Sequence, residues 1–350
     1  MSNIAFSKAQ TQILKGIALI LMIIHHTSTP SLWAENGSML NSYFSFQTGA
    51  TKMCVWIFSF LVGYGFFCSK HKSIRYSLKR ILLLLIPFWL MMLLLFIPSA
   101  YFSGYFHNYP NCNMIGVAMF PDLVCNLLGL SETLNWYSWF VFFYILSILT
   151  LPNLHKVYLC FPKSGWLVSI VVFYIFSVAI HFIPNWEGNV LLQNIFTFTT
   201  LVPVVIVGYM CAKWNHEEKI PLWFEGKNRI FFALTTIALV LIIEGLKIPV
   251  KGFCIQAFYT PFLIFAIVGI FNSYRLKTVS KGLVKIGNLS MYMWFFHAIF
   301  FTTSVNHYAK FLVLEPIHCF FYTFIMTFIL TYIGSWCFKK IVSPIIKNIK

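Results

Sequence analysis

The chain has 350 residues, of which 59% are hydrophobic, 19% aromatic and only 10% charged, and its mean hydropathy is +0.79. A soluble domain carries about 25% charged residues, so this composition excludes a water-soluble globule and points to a polytopic membrane protein. The formal net charge of +16 would suggest nucleic acid in a soluble chain; here the placement of the cations matters more, and no nucleic-acid partner is expected.

Apolar windows long enough to cross about 30 Å of hydrocarbon can be placed about ten times. They run approximately over 10–28, 50–68, 81–100, 135–153, 166–184, 190–212, 230–246, 254–272, 287–305 and 316–338. The expected fold class is therefore all-α, a transmembrane helical bundle over 1–350 as a single membrane domain with no appended soluble domain. With the N-terminus cytoplasmic, all the lysines and arginines except Lys52, Lys247, Lys251 and Lys310 fall on the cytoplasmic side. The long segment from Tyr101 to Asn135 has none at all. Both termini are thus expected in the cytoplasm, which requires an even number of spans. No charged n-region with a cleavage site precedes the first span, which is expected to remain as a signal anchor.

The first span, ILKGIALILMIIHHT, holds Lys15, His25 and His26. Ionisable groups at such depth are costly and mark function. At about 100° per residue, Lys15 and His26 lie about 20° apart around the helix and about 16 Å apart along it, so they share a face. His25 points about 100° away, and the two histidines are not expected to be equivalent.

The basic loop KHKSIRYSLKR, Lys70 to Arg80, introduces the third span. Arg75, Lys79 and Arg80 suit either anionic lipid headgroups or the phosphates of a cytosolic acyl-CoA. Between the third and fourth spans, Asp122 to Leu130 reads as a loop or as a re-entrant or interfacial helix. Glu132 and the run NWYSWF follow, with Trp136 and Trp139. Tryptophans here form an interfacial belt or, beside a carboxylate, a platform for a sugar ring. Glu35, Asp122, Glu187 and Glu315 read as solvated loop residues.

In the seventh span, Glu244 is either paired with Lys247 at the helix end or a buried acid. The ninth span carries Ser290, Tyr292 and His297, with Ser290 and His297 almost two turns apart on one face. The nine cysteines contain no CxxC, no metal site is expected, and only Cys112 and Cys125 are placed to pair outside the membrane.

A transacylation needs a base that titrates near neutrality and a cation to hold the donor, and His26 with Lys15 supplies both. The order of these patterns resembles the acyltransferase-3 family of integral membrane O-acyltransferases. The first span reads KGIALILMIIHH, with lysine at 15 where the family more often has arginine. The second, FSFLVGYGF, has Val62 where serine is usual, and KRILLLLIPFW keeps Arg80 and Pro87 but has Leu83 near the place of a further arginine. NWYSWFVFFYILSILTLPNL and IGNLSMYMWFFH are similar to the fourth- and ninth-span patterns.

The resemblance implies an O-acyltransferase with no bound cofactor, taking acetyl from acetyl-CoA to a hydroxyl of a surface polysaccharide or a lipid-linked sugar. It also implies a multi-pass protein of the plasma or inner membrane. The family's roles carry over to His26 as base or acyl relay and Lys15 as its basic partner, while His297, Ser290, Trp136 and Arg80 match patterned positions. Two other readings remain open: a transporter or flippase of a lipid-linked sugar or small anion, and a structural component of an envelope complex.

Overall fold

Capping fixes where the first helix starts. Ser7 accepts the Gln10 N–H while the Gln10 side chain takes the Ser7 N–H at 2.7 Å, a reciprocal box that opens α1, Lys8–Thr27. The computed structural model describes residues 6–29, 32, 37–102, 119–135, 138–217, 229–246, 254–271, 276–308 and 316–347. Among these the regular structure is entirely helical. The further helices are α2 Met39–Thr51, α3 Met53–Phe67, α4 Ile74–Met91, α5 Ile97–Phe102, α6 Met119–Leu127, α7 Trp139–Cys160, α8 Gly165–His181, α9 Val190–His216, α10 Arg229–Gly245, α11 Gln256–Phe271, α12 Lys277–Gly287, α13 Ser290–Tyr308 and α14 Pro316–Lys347. A π-helical turn, Met92–Phe96, joins α4 to α5 beyond Pro87, whose ring removes one ladder donor.

Among the described residues, five helical stretches are long and apolar enough to cross a membrane: Met39–Phe67, Ile74–Ser99, Trp139–Cys160, Val190–His216 and Pro316–Lys347. Gly165–His181, Ile230–Gly245, Gln256–Phe271 and Ser290–Phe301 are shorter apolar helices. The first window is helical as well, but Gln10, Gln12, Lys15, His25 and His26 interrupt its hydrophobicity. The protein is thus a multi-pass membrane helical bundle, and among the described residues α2, α6 and α12 are ordered helices lying wholly or almost wholly outside the expected spans. On α12, Lys277, Lys281 and Lys285 are exposed and Leu283 and Gly287 are buried.

The chain divides into two compact units, the first made of Met1–Leu61, Cys211–Pro249 and Ile255–Lys340. In this unit α1 packs directly on α12. A Cβ at Gly16 would lie 2.4 Å from the Leu283 carbonyl oxygen, and one at Gly287 would lie 2.0 Å from that of Gln12. Small residues are what let membrane helices approach backbone to backbone. Thr48 Oγ1 lies 2.6 Å from Ser28 O, which ties α2 to the end of α1. On the far side, Gly334 of α14 admits the Phe300 ring of α13, and Phe338 meets Tyr292 and Phe296 edge-on.

Glu244, 7% exposed near the end of α10, is the buried acid among the described residues of this unit. Its carboxylate accepts from Trp56 Nε1 at 3.1 Å, from Gln256 Nε2 at 2.8 Å and from the Tyr259 hydroxyl. Lys247, its alternative partner in the sequence reading, lies outside the described residues. Glu244→Leu should strip three donors, buried Trp56 and half-buried Gln256 and Tyr259, of their acceptor and cost about 3 kcal/mol. A thermal midpoint of the detergent-solubilised protein equal to wild type would show that those donors find other partners.

The second unit comprises Val62–Met210, Val250–Cys254 and Ile341–Lys350. Here α4 runs along α7, with Ser77 Oγ donating to Ile148 O at 2.7 Å across the interface. A Cβ at Gly63 would sit 1.8 Å from Val205 O, so α3 and α9 touch through their backbones. His155 Nδ1 and the Tyr209 hydroxyl are 2.5 Å apart between α7 and α9. Trp89 Nε1 donates to Leu127 O at 2.7 Å and fastens α4 to the end of α6.

Asp122 is not a solvated loop residue. It is 2% exposed in the first turn of α6, where a neighbouring loop's hydroxyls bond its carboxylate in place of water. Glu187 is exposed, in keeping with the sequence reading. Glu35, Glu315 and Cys112, and with Cys112 its expected pairing to Cys125, lie outside the described residues.

Candidate active site

The last turn of α1 divides its two histidines between neighbours. His25 turns toward α2, where its Nδ1 lies 2.8 Å from Thr48 O. A carbonyl can only accept, so this nitrogen carries the proton and a neutral His25 keeps its lone pair on Nε2. His26 turns toward α13 and stacks on His297, with ring centroids 5.1 Å apart and planes at 26°. The two α1 rings meet edge-on at 5.0 Å. The 100° offset between successive helical residues is what sends one ring to each neighbouring helix.

His297 is 1% exposed, and its Nδ1 lies 2.5 Å from Trp294 O one turn earlier. The same argument fixes its tautomer as Nδ1–H, so the lone pair of a neutral ring is again on Nε2. Trp294 packs beside His297 with centroids 6.1 Å apart, and Phe301 sits 6.4 Å from His26. These rings flank the paired imidazoles, and the Nε2 lone pair of a neutral His297 remains for a hydroxyl proton. The stacking of His26 on His297 brings together residues 271 positions apart in sequence, a pairing that helical periodicity within one span does not predict.

Lys15 lies three turns earlier on α1, half-buried and beside Gly16, one of the two glycines at which α1 and α12 meet backbone to backbone. Ser290 is half-buried at the start of α13, and Tyr292 is buried against Phe338. The described residues contain no group of three His, Cys, Asp or Glu side chains able to hold a metal ion.

In the second unit, Ser73 caps α4 by accepting the Tyr76 N–H at 3.3 Å. The cap places Arg75, Lys79 and Arg80 on the first two turns of that helix, all three exposed, with Arg80 bonded to Tyr144 of α7. Glu132 is half-buried in the loop before α7, and burial pushes its carboxyl up to about 7. Trp139, at the start of α7, is half-buried beside Phe140 at 5.6 Å. Trp136 lies outside the described residues.

A family model described as an acyltransferase domain matches residues 10–338. No curated protein and no solved structure matches the chain.

Proposed function

Because the chain belongs to the acyltransferase-3 family, we propose that it is an O-acetyltransferase, moving acetyl from cytosolic acetyl-CoA to a hydroxyl of a surface polysaccharide or its lipid-linked precursor. The observation that carries this reading is the stack of half-buried His26 on buried His297, with His297 oriented by a backbone carbonyl. One imidazole lone pair takes the proton of the acceptor hydroxyl as its oxygen attacks the thioester carbonyl carbon. The C–S bond then breaks, and the CoA sulfur leaves with the proton that the imidazole had held. In the unit that holds His26, Lys15 is the cation for the donor and lies on the same helix face as His26 by helical geometry; in the second unit, Arg75, Lys79 and Arg80 are the side chains suited to phosphate.

The acceptor is extracytoplasmic in this reading, with Glu132, Trp136 and Trp139 offering a carboxyl and two indole faces to a sugar. Ser290 and Tyr292 support the helix that carries His297. The protein sits in the plasma or inner membrane with ten spans and both termini cytoplasmic, surrounded by lipid, and needs no resident cofactor.

The test is NMR of the surface polysaccharide from cells carrying the intact gene, a deletion, and the deletion complemented with wild type. O-acetyl signals should vanish in the deletion and return on complementation. Acetylation that persists in the deletion, in a strain without another acyltransferase of this family, would favour transport of a lipid-linked sugar.

A further inference from the structure

Glu132 lies between two residues whose hydroxyls are held by one buried carboxylate. Ser131 Oγ donates to Asp122 Oδ1 at 2.7 Å, and Thr133 Oγ1 donates to Asp122 Oδ2 at 2.6 Å. Asn126, one turn further along α6 and 1% exposed, completes the knot. Its Nδ2 reaches Asp122 Oδ2 at 3.0 Å and Thr133 Oγ1 at 2.7 Å, and its Oδ1 accepts the Leu134 N–H at 3.1 Å.

The loop is anchored from both sides as well. Gly129 turns the chain at φ +72°, a region open to glycine, and the N–H groups of Leu130 and Ser131 return to Cys125 O. Leu130 O accepts from Asn194 Nδ2 of α9 at 2.9 Å. An ionisable side chain buried this deeply is expensive unless fully bonded. A connection that only reversed the chain between α6 and α7 would need none of it.

We infer that Asp122 is a positioning residue: by fixing both neighbours of Glu132, it holds that carboxyl in one place for the hydroxyl of a polyol or sugar acceptor. The inference rests on the acetyltransferase reading for the identity of the ligand, but not for the positioning itself. Burial brings the Glu132 carboxyl up to about 7, so it exchanges its proton near neutrality. An ionised Glu132 accepts the hydrogen bond of the acceptor hydroxyl, and a protonated one does not. Acceptor use should therefore fall as the pH drops below about 7.

Two measurements test this on the purified full chain and on membranes. Infrared titration follows the carboxyl band that disappears in Glu132→Gln. In membranes, labelled acetyl-CoA is the donor and acetyl incorporation into the cells' own polysaccharide is followed across pH. In Asp122→Asn the infrared midpoint should fall by about one pH unit as the loosened loop lets water reach Glu132. The acid limb of the pH profile should move with it, and the plateau rate should drop about tenfold. Thr133→Val removes one donor and leaves Asp122 buried with its other partners, so a smaller shift in the same direction is expected even where Asp122→Asn does not fold. A Glu132 midpoint that stays near the wild-type value in both variants overturns the inference. Loss of rate with no movement of either pH signal also overturns it, by reducing Asp122 to a purely structural residue. Wild-type membranes that acetylate nothing while the midpoints shift as expected would refute the acetyltransferase reading alone.

Discussion

Replacing His26 with alanine should lower acetyl transfer about 10³-fold while the protein stays folded. The size of the effect follows from what the imidazole does. In the proposed mechanism it takes the hydroxyl proton as the new C–O bond forms, and it stands between the other two imidazoles, edge-on to His25 and stacked on His297. His297→Ala should cost less, about 10²-fold, because it removes the stacked partner of His26 and leaves the base. His25→Ala should be the mildest of the three. The measurement is polysaccharide acetylation at matched protein level, with elution profile and thermal midpoint as controls for folding. Full acetylation by the His26 variant would end the mechanism, and an essential His25 beside a dispensable His26 would reverse the assignment within the pair.

The helical bundle was legible because bilayer physics leaves few options: long apolar windows become helices, and a helix falls on each of the ten windows named from sequence. The division of the histidine doublet was also legible, since it follows from 100° per residue. What sequence could not supply was partnership across the chain. His26 meets His297, and Glu244 meets Trp56, through helix packing that no local pattern encodes. Asp122 was misread for a related reason. An acid in a connection is usually hydrated, and only the fold shows Ser131 and Thr133 bonded to it instead. One signal was available: Asp122, Asn126, Ser131 and Thr133 concentrate donors and acceptors within a dozen residues that carry no Lys or Arg. The amphipathic α12 was missed because its lysines were weighed as topology signals, although they recur every fourth residue on one helix face.

Gly287→Val should disrupt the unit that holds His26 in both stability and activity. A Cβ there would lie 2.0 Å from Gln12 O and 2.7 Å from its carbonyl carbon, so the obstacle is backbone that no rotamer change can move aside. Four residues along α1, Gly16 faces Leu283 O in the same way, and the two glycines together fix the register of α12 against α1. Forcing the helices apart should cost about 3 kcal/mol, the upper end of overpacking penalties, and should shift α1 away from its present contacts. Activity should then fall together with stability, because His26 would lose its register with His297. Gly282 supplies the control on the same helix, since a Cβ there meets nothing within 4 Å. Gly282→Ala should leave the thermal midpoint unchanged or raise it, by up to about 1 kcal/mol of helix propensity. If Gly287→Val were tolerated as well as Gly282→Ala, the backbone contact between α1 and α12 would be refuted, and with it the reason these two helices are joined through glycine.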